Sequence, residues 1–173
     1  FMNLNLNELV QQVNGEFAER FEGRNLDLIC ILQPEPLLIR ADSRRIWRVL
    51  ENLYVNVCKY AMPGTRVYVD AIKKDGKIQL SIKNISENPL NFQADELTER
   101  FIRGDVSRST EGSGLGLSIA KNLTVLQHGS FNIYLDGDLF KVTITFDEAV
   151  KEKKPMPPMI VPEAVQEEAQ QDA

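Results

Sequence analysis

Cysteine and histidine are scarce: Cys30, Cys58 and His128 are the whole supply in 173 residues, and they form no Cys-x-x-Cys or Cys/His cluster. Neither a disulfide framework nor a zinc site is suggested, and a reducing compartment fits. Positive charge is also short, with 20 Lys and Arg against 25 Asp and Glu, for a net charge of -5. That balance argues against general attraction to nucleic acid or anionic lipid, so no nucleic-acid partner is expected. No apolar run approaches the roughly 18 to 20 residues that span a bilayer, and no signal peptide is seen, so a cytoplasmic location is expected. A second absence lies at the end of the chain, where "EAVKEKKPMPPMIVPEAVQEEAQQDA" contains no aromatic residue and is rich in Pro, Glu, Gln and Ala. Residues 1–147 are therefore expected to form one domain, and residues 148–173 a solvated tail. With 43% hydrophobic residues and no internal repeat, the first part has the material for a proper core.

What is present is a readable order of elements. Leu9, Val10, Val13, Phe17 and Phe21 recur at helical spacing after Asn7, a reasonable N-cap, and Gly23 ends the helix. "NLDLICILQ" and "LLIRA" read as strands flanking a "PEP" turn. Asp42 is expected to cap a second helix whose Ile46, Val49, Leu50, Leu53, Val57 and Tyr60 form one stripe, stopped by Pro63 and Gly64. Two hairpins follow from alternation about Asp75-Gly76 and Asp136-Gly137. Between them lie a short helical pattern, "ADELTERF", a polar stretch, and a glycine-headed helix with Leu115, Ile119, Leu123 and Leu126 on one side. The sum is an α+β fold: a two-layer sandwich whose mixed, mainly antiparallel sheet carries helices on one face.

Two features carry chemistry. "EGSGLGLSIAKNL" places Gly112, Gly114 and Gly116 at a helix entrance, where alternate glycines free the backbone and a helix start offers unpaired N–H donors to an anion. On the second helix, Asn52, Asn56 and Lys59 fall at i, i+4 and i+7, a narrow polar band bordering the apolar stripe. Amide oxygens suit a hard divalent cation and an ammonium suits phosphate oxygens, which points to Mg²⁺ with a nucleotide. There is no GxxxxGK[ST], and the glycines follow a polar loop rather than a strand, so neither the P-loop nor the Rossmann arrangement applies.

In order, "NLYVNVCKYA", "NISEN", "ERFIRGD" and "GSGLGLSIAK" resemble the asparagine, first glycine, phenylalanine and second glycine boxes of sensor histidine kinases. These kinases share the Bergerat ATP-binding fold with gyrase and certain chaperones. The resemblance implies that Asn56 coordinates Mg²⁺, that Asn52 supports the metal and phosphates, that Lys59 reaches the phosphates, and that Tyr60 lies beside the nucleotide. Arg103 would meet the transferred phosphate, Phe101 would be the hinge of a lid over residues 102–113, and Gly112, Ser113, Gly114, Leu115 and Gly116 would present backbone N–H groups to phosphate. ATP and Mg²⁺ are the implied cofactors, and the implied enzyme is a protein-histidine kinase.

The match departs from the family at the first glycine box, whose usual Asp accepts from the adenine amino group and is followed by two glycines. Asn84 stands at the Asp position, and Ser86 and Asn88 replace the glycines. A neutral hydrogen bond contributes about 0.5–1.5 kcal/mol against about 1.5–3 for a charged one, so weaker discrimination for adenine and a stiffer loop are expected. His128 lies after the glycine helix and is read as structural rather than as a phosphoacceptor. The resemblance further implies a phosphoacceptor and dimerisation helical domain of the same protein, a homodimeric and membrane-anchored parent, and a response regulator downstream. Two other readings are a serine-phosphorylating anti-sigma-type relative and a degenerate ATPase-fold module used for protein–protein contact.

Overall fold

Alternation in the middle of the chain builds the platform on which everything else rests. In the computed structural model, which describes residues 1–90, 115–151 and 156–158, β4 (Arg66–Lys74) and β5 (Lys77–Ile85) form an antiparallel hairpin. Its turn residues Asp75 and Gly76 have φ of 52° and 72°, the left-handed pair that a type I′ turn requires. Together with β2 (Asp27–Leu32), β6 (Ser130–Asp136) and β7 (Leu139–Asp147) they make a five-stranded sheet in the order β2-β4-β5-β7-β6. Only the β2–β4 pairing is parallel. Val67, Val69, Ala71, Ile78, Leu80, Ile82, Phe140, Val142 and Ile144 point to one buried face, as a period of two dictates.

That face is covered by α1 (Leu6–Gly23), α2 (Ser43–Tyr60) and α3 (Gly116–Leu126). The mixed, mainly antiparallel sheet with helices on one face is the expected fold. A second, two-stranded sheet pairs β1 (Met2–Asn5) with β3 (Leu38–Ala41), so "LLIRA" does not pair with β2, and β1 was missed by the sequence reading. The main sheet joins this small one where Glu148 bridges Ile39 and the Ala149 N–H donates to the Leu38 carbonyl at 2.8 Å. No helix among the described residues is long and apolar enough to cross a membrane.

Three local expectations are corrected. The N-cap of α1 is Asn5, whose side chain accepts from the Asn7 N–H; Asn7 itself is buried and donates from Nδ2 to the carbonyls of Gln33 (2.9 Å) and Glu35 (3.0 Å). The second hairpin turns at Gly137-Asp138, not Asp136-Gly137, because Asp136 pairs with Leu139 and Gly137 takes φ of 57° at the first turn position. The buried side of α3 is Leu117, Ala120 and Thr124, continued by Gln127, while Leu115 and Leu126 are exposed. The "ADELTERF" helix lies outside the described residues.

Candidate functional site

The Asp42 side chain caps α2, accepting from the N–H groups of Arg44 and Arg45 at 3.0 Å, and these bonds, that from Arg45 foremost, hold its carboxyl below the usual range. From that start, 18 helical residues bury Ile46, Val49, Leu50, Leu53, Tyr54 and Val57. Tyr54, fully buried between Phe17 and Phe21, donates its hydroxyl to Asn14 Oδ1, and burial pushes the phenol well above its ordinary pKa. With this side anchored to α1, the polar band falls at the other edge of the helix. Asn56 is buried at 8% exposure, Asn52 and Tyr60 are half-buried, and Lys59 is exposed. Asn52 donates from Nδ2 to the Arg48 carbonyl at 2.8 Å, which leaves the amide oxygen as its outward group.

Against this edge sits the start of α3. A Cβ added at Gly116 would stand 3.6 Å from Asn52 Oδ1 and 3.7 Å from its carbonyl oxygen, so the first turn of α3 packs directly on Asn52. No side chain caps α3: Leu115 precedes it, and Ser118 Oγ donates to the Leu115 carbonyl instead of accepting from the backbone. Among the described residues no side chain accepts from the first N–H groups of the helix, which lie at the positive end of its dipole and suit an anionic acceptor. Gln127 fixes the far end. It is 1% exposed, accepts the Asp42 N–H at 3.0 Å through Oε1 and donates to the Leu123 carbonyl, so α3 runs antiparallel to α2 with its start beside Asn52. The sequence reading missed Gln127; its place on the Leu117, Ala120, Thr124 face is the signal that could have found it.

The third element of the site is the end of β5. Asn84 pairs with Phe140 and shares the inward face with Leu80 and Ile82; it is 3% exposed, and among the described residues its Oδ1 has no hydrogen-bond partner. The segment that follows is stitched to the end of α2. Ser86 bridges Ala61 and donates its N–H to Asp138 (2.7 Å), Met62 donates to Ile85 (2.8 Å) and Glu87 to Tyr60 (2.8 Å). Arg24, unremarked in the sequence, adds Nη2 to the Ala61 carbonyl at 3.1 Å and lies 3.4 Å from Glu87. Neither Ser86 nor Asn88 has a positive φ, so the backbone here adopts its path without glycine.

Arg103, Gly112, Ser113 and Gly114, with Phe101 and the lid over residues 102–113, lie outside the described residues. The structure brings Gly116 against Asn52; Asn56 lies one turn further along α2, Lys59 and Tyr60 end that helix, and the Ala61–Ser86 bridge brings the segment after Asn84 to the same end. Among the described residues no group of three or more His, Cys, Asp or Glu converges on a possible metal position. The donors present, amide oxygens on one helix, nevertheless fit Mg²⁺, which is commonly held by one or two protein groups, waters and substrate phosphates.

A sheet with helices on one face, and a helix start without a side-chain cap seated on an asparagine-bearing helix, make a two-layer sandwich that is neither P-loop nor Rossmann. Residues 41–150 match the family described as histidine kinase-, DNA gyrase B-, and HSP90-like ATPase, and the chain belongs to that family. It is 31% identical over 123 residues to the signal transduction histidine-protein kinase BaeS of Escherichia coli, covering 70% of this chain and 26% of BaeS. To the sensor histidine kinase RppB of Synechocystis it is 29% identical, covering 74% of this chain and 29% of RppB. The chain thus spans between a quarter and a third of these relatives. The nucleotide-free catalytic domain of the histidine kinase ThkA superposes with a TM-score of 0.74 at 26% identity, covering 86% of this chain and 95% of that one. The fold is therefore that of a histidine kinase catalytic domain.

Proposed function

We propose that this chain binds ATP with Mg²⁺ and transfers the γ-phosphoryl group to a histidine on a helical dimerisation domain of the same protein, from which a response regulator is charged. The observation that carries the reading is the seating of the α3 start, which has no side-chain cap, on Asn52, which supports a site where backbone N–H donors and an amide oxygen serve the same ligand. Asn56 and Asn52 hold the metal and orient the phosphates, and Lys59 and Arg103 neutralise their charge. Gly112, Ser113, Gly114, Leu115 and Gly116 offer backbone N–H groups, and Tyr60 and Asn84 flank the base. Bound Mg²⁺ supplies charge neutralisation across the phosphates. The acceptor imidazole nitrogen attacks the γ-phosphorus and ADP leaves, a reaction that needs positioning and electrostatics rather than a strong base.

The test is calorimetric titration with ATP, with and without Mg²⁺, followed by transfer of label from γ-labelled ATP to the separately supplied helical domain. Magnesium-dependent binding and an acid-labile phosphohistidine are expected. Absence of nucleotide binding would overturn the proposal.

A further inference from the structure

Asn84 is not used to its full chemical capacity by an adenine-only site. Asn84 is 3% exposed, on the inward face at the end of β5, and among the described residues its Oδ1 has no hydrogen-bond partner. A buried acceptor left unpaired calls for a donor from a ligand. On the reading that this cleft binds a purine nucleotide, the 6-amino group of adenine is such a donor. Asparagine, however, is not a neutral copy of aspartate. A carboxylate only accepts, whereas a carboxamide carries an acceptor and two donors on atoms of nearly equal size, and its terminal torsion is broad and two-fold.

We infer that the base site of this chain takes a 6-oxopurine as well as adenine: Asn84 accepts from a 6-amino group through Oδ1 and, turned over, donates from Nδ2 to a 6-oxo group. Among the described residues, turning the amide forfeits no hydrogen bond at Oδ1, because none is made there. The backbone need not move. Ser86 to Asp138 (2.7 Å), Met62 to Ile85 (2.8 Å) and Glu87 to Tyr60 (2.8 Å) hold the segment in place on either orientation. What is lost, relative to an aspartate, is the repulsion between a carboxylate and a carbonyl oxygen, the element that would reject the 6-oxo edge.

Inosine triphosphate isolates the contact, since it carries the 6-oxo edge without the 2-amino group of guanine. With Mg²⁺ present and calorimetry as the readout, the parent protein is expected to bind ATP and inosine triphosphate with Kd values within about tenfold of each other. Asn84→Asp is expected to weaken inosine triphosphate relative to ATP by at least about tenfold. A larger gap than that in the parent, or a ratio that Asn84→Asp leaves unchanged, would overturn the inference. Failure of ATP and inosine triphosphate alike would overturn the kinase reading with it, whereas failure of inosine triphosphate alone would leave that reading intact. Should Asn84→Asp fold poorly, the comparison of the two nucleotides on the parent decides by itself.

Discussion

The two ends of the proposed nucleotide site are built on different physical terms. At the proposed phosphate end, the described groups are helix-borne: Asn52 is half-buried, Lys59 is exposed, and Asn56 alone of the three is buried, at 8% exposure. Water can serve these groups when no ligand is bound, so an empty phosphate end costs little. At the base end, Asn84 is 3% exposed with an unpartnered oxygen, and the neighbouring backbone is tied by a set of hydrogen bonds. Here the empty state is the expensive one. The proposed base end is closed to solvent, whereas the proposed phosphate end is open to it at Asn52 and Lys59, so substitutions should divide into those that alter ligand binding with little effect on stability and those that alter both.

The largest separation is expected from Asn56→Ala. Removing this amide oxygen should weaken Mg²⁺-dependent ATP binding on the order of 100-fold, judged from what disturbing a metal's surroundings costs, while the unfolding midpoint changes little. Calorimetry with and without Mg²⁺ checks it, and a variant that bound Mg·ATP as tightly as the parent would remove Asn56 from the metal. Gly129→Ala should behave oppositely. A Cβ there would lie 2.7 Å from Phe146 Cε1, 2.9 Å from its Cζ and 2.9 Å from Thr124 Cγ2, in a part of the core with little room to give. A loss of about 1–3 kcal/mol in urea unfolding is expected. Because Gly129 follows α3 and donates to the Thr124 carbonyl at 3.0 Å, ATP should lose more affinity than adenosine as the helix shifts. Equal losses would mean that α3 does not carry the phosphate contacts.

How much of this could be read beforehand follows the same division. The polar band on α2 was legible because the capping Asp42, the apolar stripe and the helical period agree locally. The Asp75-Gly76 turn was legible for the same reason. The string Asp136-Gly137 looked identical, yet pairing placed Gly137 first in the turn, which sets Leu135 opposite Phe140 on the inward face. Register, not local wording, decided it. In α3 apolar residues lie on both sides, so periodicity alone could not choose. The side that is buried carries Leu117, Ala120 and Thr124. Asn7 was read as the cap of α1, but its side chain is claimed by carbonyls 26 and 28 residues away, and Asn5 caps the helix instead. The partners of Gln127 and the unpartnered state of Asn84 depend on elements distant in sequence, and no local pattern reports them.

Asn84→Asp sharpens the contrast from the base end. Without nucleotide, a carboxylate at this 3% exposed position would be buried with no partner at the atom that now lacks one, lowering stability at neutral pH by about 1–3 kcal/mol. Burial raises the carboxyl's pKa in the folded state, so the deficit should be absent below about pH 4, where both states are protonated, and should grow as pH rises through the raised value. Saturating ATP should restore part of the midpoint by supplying the 6-amino donor. Thermal melts across pH, with and without ATP, measure both effects; a variant as stable as the parent at neutral pH without ligand would show that this end of the cleft is solvated after all.

The smallest effect is expected at His128, which belongs to neither end. It follows α3 with φ of 64°, a left-handed conformation, and its N–H donates to the Val125 carbonyl at 3.0 Å to close the helix. Its side chain is exposed, near the ring of Phe1 at 6.1 Å between centroids. A non-glycine residue in this conformation carries about 1–2 kcal/mol of strain, while glycine brings an entropy cost of roughly 0.5–1 kcal/mol. The two nearly cancel, so His128→Gly should move stability by no more than about 1 kcal/mol, in the stabilising direction. Nucleotide binding and transfer to the supplied helical domain should be unchanged, because the residue serves the helix terminus and not the cleft. The check is a urea melt together with the labelled-ATP transfer assay. Loss of an acid-labile phosphate from this chain in the variant, if the parent carries one, would make the histidine an acceptor rather than a terminus residue.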